Sequence, residues 1–167
     1  MMSWDNVEII RSKRRRKTVQ AKIVDNALRI YLPAGLTKNE ESKWINQMKE
    51  RIQKKQRRHE LNNTTDLKKR AEVINDHYFD GKLTFSIQFV TNQNTKHGSC
   101  TPASKRIRIA DDIADYPAYV QDYLIMHELT HLIYPNHSKG FWKKVNEYLY
   151  VERAKGFLHA SEFFSKK

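Results

Sequence analysis

Between Tyr116 and Pro135 the chain reads Tyr-Pro-Ala-Tyr-Val-Gln-Asp-Tyr-Leu-Ile-Met-His-Glu-Leu-Thr-His-Leu-Ile-Tyr-Pro. Pro117 suits the first turn of a helix, and Pro135 forbids its continuation beyond Tyr134. Tyr116, Tyr119, Val120, Tyr123 and Leu124 form one apolar stripe on that helix, and His127 and His131 continue it. Residues four apart project from the same face, so both imidazoles can reach a single metal ion. Glu128 is rotated by about 100° from His127 and sits beside such an ion rather than on it. With seven His and ten Glu in the chain, this pattern is expected by chance about 0.02 times. Two histidines facing a core without a shared partner would also be costly to desolvate. The spacing therefore points to zinc, held by nitrogen at about 2.0–2.1 Å, with Glu128 placed to take a proton from water.

A zinc that does chemistry needs a third protein ligand and an open position. His137 follows the turn forced by Pro135 and is the favoured candidate. Glu147 and Glu152 are acidic alternatives at longer spacing, although both sit among lysines and arginines that suit a helix surface. This His-Glu-x-x-His arrangement is the logic of zinc peptidases. Metzincins carry a glycine where this chain has Tyr134, and they need a downstream methionine that is missing after Met126. Oxyanion stabilisation has four candidates, Tyr134, His97, Asn136 and His159. Ser99 and Arg108 join His97 and Tyr134 as candidate substrate contacts.

Working outward, Val7–Ile10, Thr18–Val24 and Leu28–Leu32 alternate as half-buried strands, with Asp25-Asn26 as a tight turn. They predict a small antiparallel meander. Thr37 and Glu40 form a capping box for a helix to about Leu61, which Asn62-Asn63 should break. Thr64 or Thr65 would cap a second helix ending at Asp80-Gly81. A strand is predicted over 84–90, and Gly98–Cys100 and Lys105–Ala110 form a hairpin. If the latter strand is a sheet edge, it can pair with an extended peptide. Ser138 caps a helix with Phe141, Trp142, Val145 and Leu149, and 152–167 is a short helix with a frayed end.

The 167 residues carry a net charge of +12, and 19 basic against 8 acidic side chains place +11 of it in residues 1–70. A basic N-terminal region of β-meander and helices (1–70) and a catalytic region (71–167) are expected, within one compact unit. No apolar run approaches the ~18 residues of a membrane span. Met1–Glu8 lacks the layout of a secretory signal. Cys100 is the only cysteine, which favours a reducing compartment, and a cytoplasmic location is expected. It reads as a small packing residue rather than a nucleophile.

His127-Glu-Leu-Thr-His131, Asn136-His137-Ser138, Phe141-Trp142 and Gly98-Ser99-Cys100 together resemble the YgjP-like metallopeptidase family of small zincins. Arg11–Lys17 and Glu152–Gly156 extend the resemblance more weakly. It implies an α+β, zincin-like domain with an antiparallel or mixed sheet on the active-site helix. It also implies zinc on His127, His131 and His137, with Glu128 as general base and a peptide or protein as substrate. The family has tryptophan where this chain has His97, so substrate preference is in question there. An alternative function is a nucleic-acid-associated zinc protein whose peptidase activity is secondary, latent or absent. In it, Arg11, Arg14, Arg15, Arg16, Lys54, Lys55, Arg57 and Arg58 contact DNA, RNA or another anionic partner. A third reading is a zinc protein that is not a peptidase.

Overall fold

The computed structural model describes residues 6–93 and 96–165. Met1–Asp5, within the stretch read for a secretory signal, and the frayed end expected at Lys166-Lys167 lie outside the described residues. The chain forms two compact units, Met1–Arg57 and Arg58–Lys167.

The first unit holds β1 (Val7–Ser12), β2 (Gln20–Val24) and β3 (Ala27–Pro33). Asp25 and Asn26 take φ of 49° and 60°, the left-handed pair that a two-residue hairpin requires. The sheet order is β1-β3-β2, and β1 runs parallel to β3 with Val7 opposite Leu28. The antiparallel meander expected from alternation therefore holds only for β2 and β3. Leu28, Ile30 and Leu32 are fully buried, so β3 takes the centre, where both its edges are paired. A parallel return needs a dozen or more residues, and β2 lies within that return.

Helix α1 (Lys38–Thr64) begins with the expected box. Thr37 Oγ1 accepts from the Glu40 N–H at 3.3 Å, and Glu40 Oε2 accepts from the Thr37 N–H at 2.9 Å. Such a cap is worth about 1 kcal/mol. Met48, with Trp44, Ile45 and Ile52 at helical spacing, packs on Leu28, Ile30 and Leu32. Asn62-Asn63 does not stop this helix. The Asn62 amide bonds elsewhere: Nδ2 donates to the Phe89 carbonyl at 3.0 Å, and Oδ1 accepts from the Phe89 N–H at 2.9 Å.

The second unit continues with α2 (Leu67–Phe79), β4 (Ser86–Val90), β5 (Gly98–Thr101), β6 (Arg106–Ala110), α3 (Ala118–Thr130), α4 (Lys139–Val145) and α5 (Val151–Ser165). Asp66, not Thr64 or Thr65, stands at the start of α2, and Asp80 and Gly81 end it in left-handed conformations. The strand order is β4-β6-β5, with β4 parallel and β5 antiparallel to β6. Lys105–Ala110 is therefore not a sheet edge. Ile107 and Ile109 are almost fully buried, which draws β6 to the middle and leaves β5 as an edge.

Val120, Ile125, Met126 and Leu129 are fully buried on α3, so this helix is enclosed rather than merely amphipathic. Arg70 fastens α2 to it, with Nη2 2.6 Å from Asp122 Oδ1 and 2.9 Å from the Ala118 carbonyl. Helix α3 ends at Thr130, four residues before the expected Tyr134. Leu132 and Ile133 donate to the carbonyls three residues back, at 3.0 Å each, tightening the chain ahead of Pro135. No described helix is long and apolar enough to cross a membrane.

Candidate metal centre

His127 is on the last turn of α3, His131 caps its end, and His137 follows on the turn that leads into α4. Ser138 fixes the start of α4 by accepting from the Phe141 N–H at 3.3 Å. This brings one nitrogen from each of the three histidines within 4.8 Å of the others. His127 Nε2 and His137 Nε2 lie 3.2 Å apart. A tetrahedral ion holding nitrogens at about 2.0–2.1 Å would separate them by about 3.3 Å, so this pair stands at the spacing of a zinc site. His131 Nδ1 faces the Tyr134 carbonyl at 3.1 Å. A proton on Nδ1 leaves Nε2 as a lone pair, the outer-shell arrangement that orients a metal-binding imidazole.

Phe141 is fully buried and touches all three rings, with centroids at 4.9, 4.5 and 4.7 Å from His127, His131 and His137. Trp142 stacks on His137 at 5.4 Å and 20°. Burial, reinforced by the neighbouring imidazoles, pushes His127 down to about 3. Burial likewise lowers His131. Both are held in the neutral form that metal binding requires.

Glu128 is 4% exposed, and its Oε2 has no hydrogen-bond partner among the described residues. Burial raises its carboxyl to about 8, against a weaker opposing pull from Lys96. A buried acid without a partner is costly in a purely structural role, and a bound dication would favour its charged form. Strand β5 passes directly over it. A Cβ at Gly98 would lie 2.5 Å from Glu128 Oε1 and 3.0 Å from its Cδ and Cγ. Glycine is thus what permits the approach.

The three histidines and Glu128 line a cleft of about 530 Å³ together with Lys96–Cys100, Tyr123, Leu124 and Leu158. Residues 80–155 match the family model described as YgjP-like, metallopeptidase domain. This segment is similar to the YgjP-like metallopeptidase domain. The metallopeptidase zymogen of Methanocaldococcus jannaschii, jannalysin, matches in crystal structure with a TM-score of 0.50 and 17% identity, over 62% of this chain and all of that one. That of Pyrococcus abyssi, abylysin, matches with a TM-score of 0.48 and 20% identity, over 54% and 86%. No curated protein matches the chain. At such identity the likeness to jannalysin shows the fold: α+β and small, with a mixed sheet packed on the helix that carries the histidines.

The cleft brings together some of the residues expected from sequence and not others. His97 and Ser99 line the cleft. His97 Nε2 lies 3.2 Å from Glu162 Oε1, and Ser99 Oγ accepts from Gln93 Nε2 at 2.5 Å. Arg108 pairs opposite Ser99 on β6, but outside the cleft lining, and donates to Asn92 Oδ1. Tyr134 is also outside the lining. Its ring lies where a Cβ on Gly140 would meet it at 2.9 Å. Asn136 and His159 likewise do not line the cleft. Glu147 and Glu152 sit on surface ion pairs with Lys144 and Lys155, at 2.7 and 2.9 Å. Burial, with Glu128 nearby, pushes the Cys100 thiol up to about 11, which fits a packing role.

Sequence reasoning missed three features of this site: the Phe141 ring packed against all three imidazoles, the Gly98 clearance over Glu128, and the apolar wall of Tyr123, Leu124 and Leu158. Gly98 and Phe141 stand in motifs and Tyr123 and Leu124 in the apolar stripe of the histidine helix, but none of these signals says what the residue touches, and Leu158 has none.

Proposed function

We propose that the domain is a zinc peptidase in which His127, His131 and His137 hold the metal and Glu128 is the general base. One observation carries this reading: three imidazole nitrogens converge on a cleft that also holds a buried carboxylate, one of whose oxygens has no hydrogen-bond partner among the described residues. When bound, zinc supplies a Lewis acid for the scissile carbonyl and raises the acidity of water. Glu128 takes the proton from the attacking water on its free oxygen and returns it to the leaving amine.

Strand β5 aligns the substrate. The Ala110 N–H donates to the His97 carbonyl at 2.9 Å. By antiparallel alternation, the N–H and C=O groups of Gly98 and Cys100 then point away from β6. An extended peptide adds to this edge with its backbone antiparallel or parallel to β5. His97 and Ser99 are the side-chain contacts this places along the peptide, and His97 is the remaining cleft-lining candidate for the oxyanion. The catalytic region, 71–167, lies within the second unit, and a reducing, cytoplasmic location suits a chain with one cysteine.

A quenched-fluorescence peptide library tests this reading. Cleavage should stop on chelation and return with one equivalent of zinc. Stoichiometric zinc binding with no cleavage of any library peptide would turn the reading toward a zinc protein of another kind.

A further inference from the structure

The first unit has a second surface that the cleft chemistry does not use. Its sheet is covered on one face by α1, through Leu28, Ile30 and Leu32. Side chains alternate along a strand, so Arg29 and Tyr31 belong to the opposite face. Their register partners share it: Ile10 and Gln20 beside Tyr31, Glu8 and Lys22 beside Arg29. Ile10, Gln20 and Lys22 are exposed and Tyr31 is half-buried, so this face is open.

Charge is concentrated beside it. Residues 1–57 contain fifteen Lys and Arg against six Asp and Glu, a net charge of +9. The link from β1 to β2 is the densest part. Arg11 is held by Glu41, with Nη2 at 2.5 Å and Nε at 3.1 Å from its two oxygens. Arg15 lies over the Tyr31 ring, 5.5 Å from its centroid, and donates to Gln20 Oε1 at 3.1 Å. Lys13, Arg14, Arg16 and Lys17 are exposed, and none of the four has an ion-pair or hydrogen-bond partner among the described residues. Two pinned arginines thus hold a loop that presents four unneutralised cations next to an accessible aromatic face.

We propose that this unit binds single-stranded nucleic acid, with phosphates on Lys13, Arg14, Arg16 and Lys17 and a base stacked at Tyr31 beside Arg15 and Gln20. The cations give affinity for any polyanion. The ring, the planar guanidinium and the amide select among polyanions, because they stack on a base and bond its edges. A lipid surface would ask for an exposed apolar face, whereas Ile10 at 36% exposure is the only apolar side chain in the Tyr31 row. A duplex conceals the base faces that Tyr31 would stack on. This inference does not rest on the peptidase reading.

Fluorescence anisotropy of the full chain with a labelled twelve-nucleotide single strand, across a salt series, tests it. Four neutralised phosphates predict a log–log salt slope of about −3. Replacing Lys13, Arg14, Arg16 and Lys17 by Ser should weaken binding to every sequence and bring the slope near zero. Tyr31→Leu should cost about tenfold, the lower end for one stacked base, without moving the slope, and Tyr31→Phe should retain affinity. Thermal melts and zinc content, taken in parallel, confirm that each variant is folded. An unchanged slope in the quadruple variant would overturn the proposal. So would duplex or phosphatidylglycerol vesicles competing as well as the single strand, or Tyr31→Leu binding like wild type.

Discussion

Gly98→Ala is the perturbation that interrogates the site most finely, because it adds one methyl group and touches no ligand. The new Cβ would stand 2.5 Å from Glu128 Oε1, whereas ordinary contact begins near 3.4 Å. The shortfall is about 1 Å, and it falls on an enclosed carboxylate rather than on a side chain with room to swing. A misplacement of that size costs about a hundredfold in rate, equivalent to about 2.7 kcal/mol of transition-state stabilisation. Overpacking should also lower stability by about 1–3 kcal/mol, which a chemical melt reads separately. The assay is kcat/KM on a cleaved library peptide, with zinc content by mass spectrometry. Zinc should stay at one per chain while kcat/KM falls. Gly35→Ala serves as the control, since nothing lies within 4 Å of its added Cβ. Gly98→Ala on a Glu128→Gln background should cost little more, because both changes disable the same group. A Gly98→Ala protein with wild-type kcat/KM and wild-type zinc would refute the claim that the position of Glu128 under β5 matters.

Alkylation of Cys100 by iodoacetamide should be slow at pH 7 to 8, since burial raises the thiol to about 11 and only the thiolate reacts; a rate profile inflecting near 8.5 would contradict this. Asn62→Ala strips both backbone partners from Phe89 and should destabilise the protein by about 1–3 kcal/mol, against a negligible change in a denaturant melt if the bonds are incidental. Gly156→Ala fills open space in α5 and should stabilise it by about 1 kcal/mol, read as a higher melting midpoint. His137→Ala should weaken zinc binding by more than about a hundredfold, beyond the loss expected for an outer-shell partner, and a competition titration with a chromophoric chelator measures it.

The parts legible in sequence are those decided by neighbours in the chain. His127, Glu128 and His131 are read from helical spacing, the Thr37–Glu40 box from its own four residues, and the Asp25-Asn26 hairpin from turn chemistry. His137, the proposed third ligand, can be weighed against Glu147 and Glu152 in sequence only by the turn at Pro135. Strand order was beyond reach, because β3 and β6 win the central positions by competition for burial among strands far apart in sequence. Asn62 reads as a helix breaker in sequence because its partner, Phe89, lies 27 residues away. Helix α3 ends before the point Pro135 implies, because a proline marks where a helix cannot continue, not where it tightens first. Gly98 over Glu128 is the same lesson at the site itself: a contact across thirty residues leaves only a glycine as its trace.

The claim that Glu128 acts as base beside a three-histidine zinc is tested most directly by Glu128→Gln, an isosteric change that leaves the ligands in place. Hydrolysis of a library-derived peptide and bound zinc should be measured on the same preparations. The account predicts one zinc per chain in both proteins and a loss of about 10²–10⁴ in kcat for the variant, the range of general acid–base catalysis. Equal zinc with undiminished hydrolysis would contradict it.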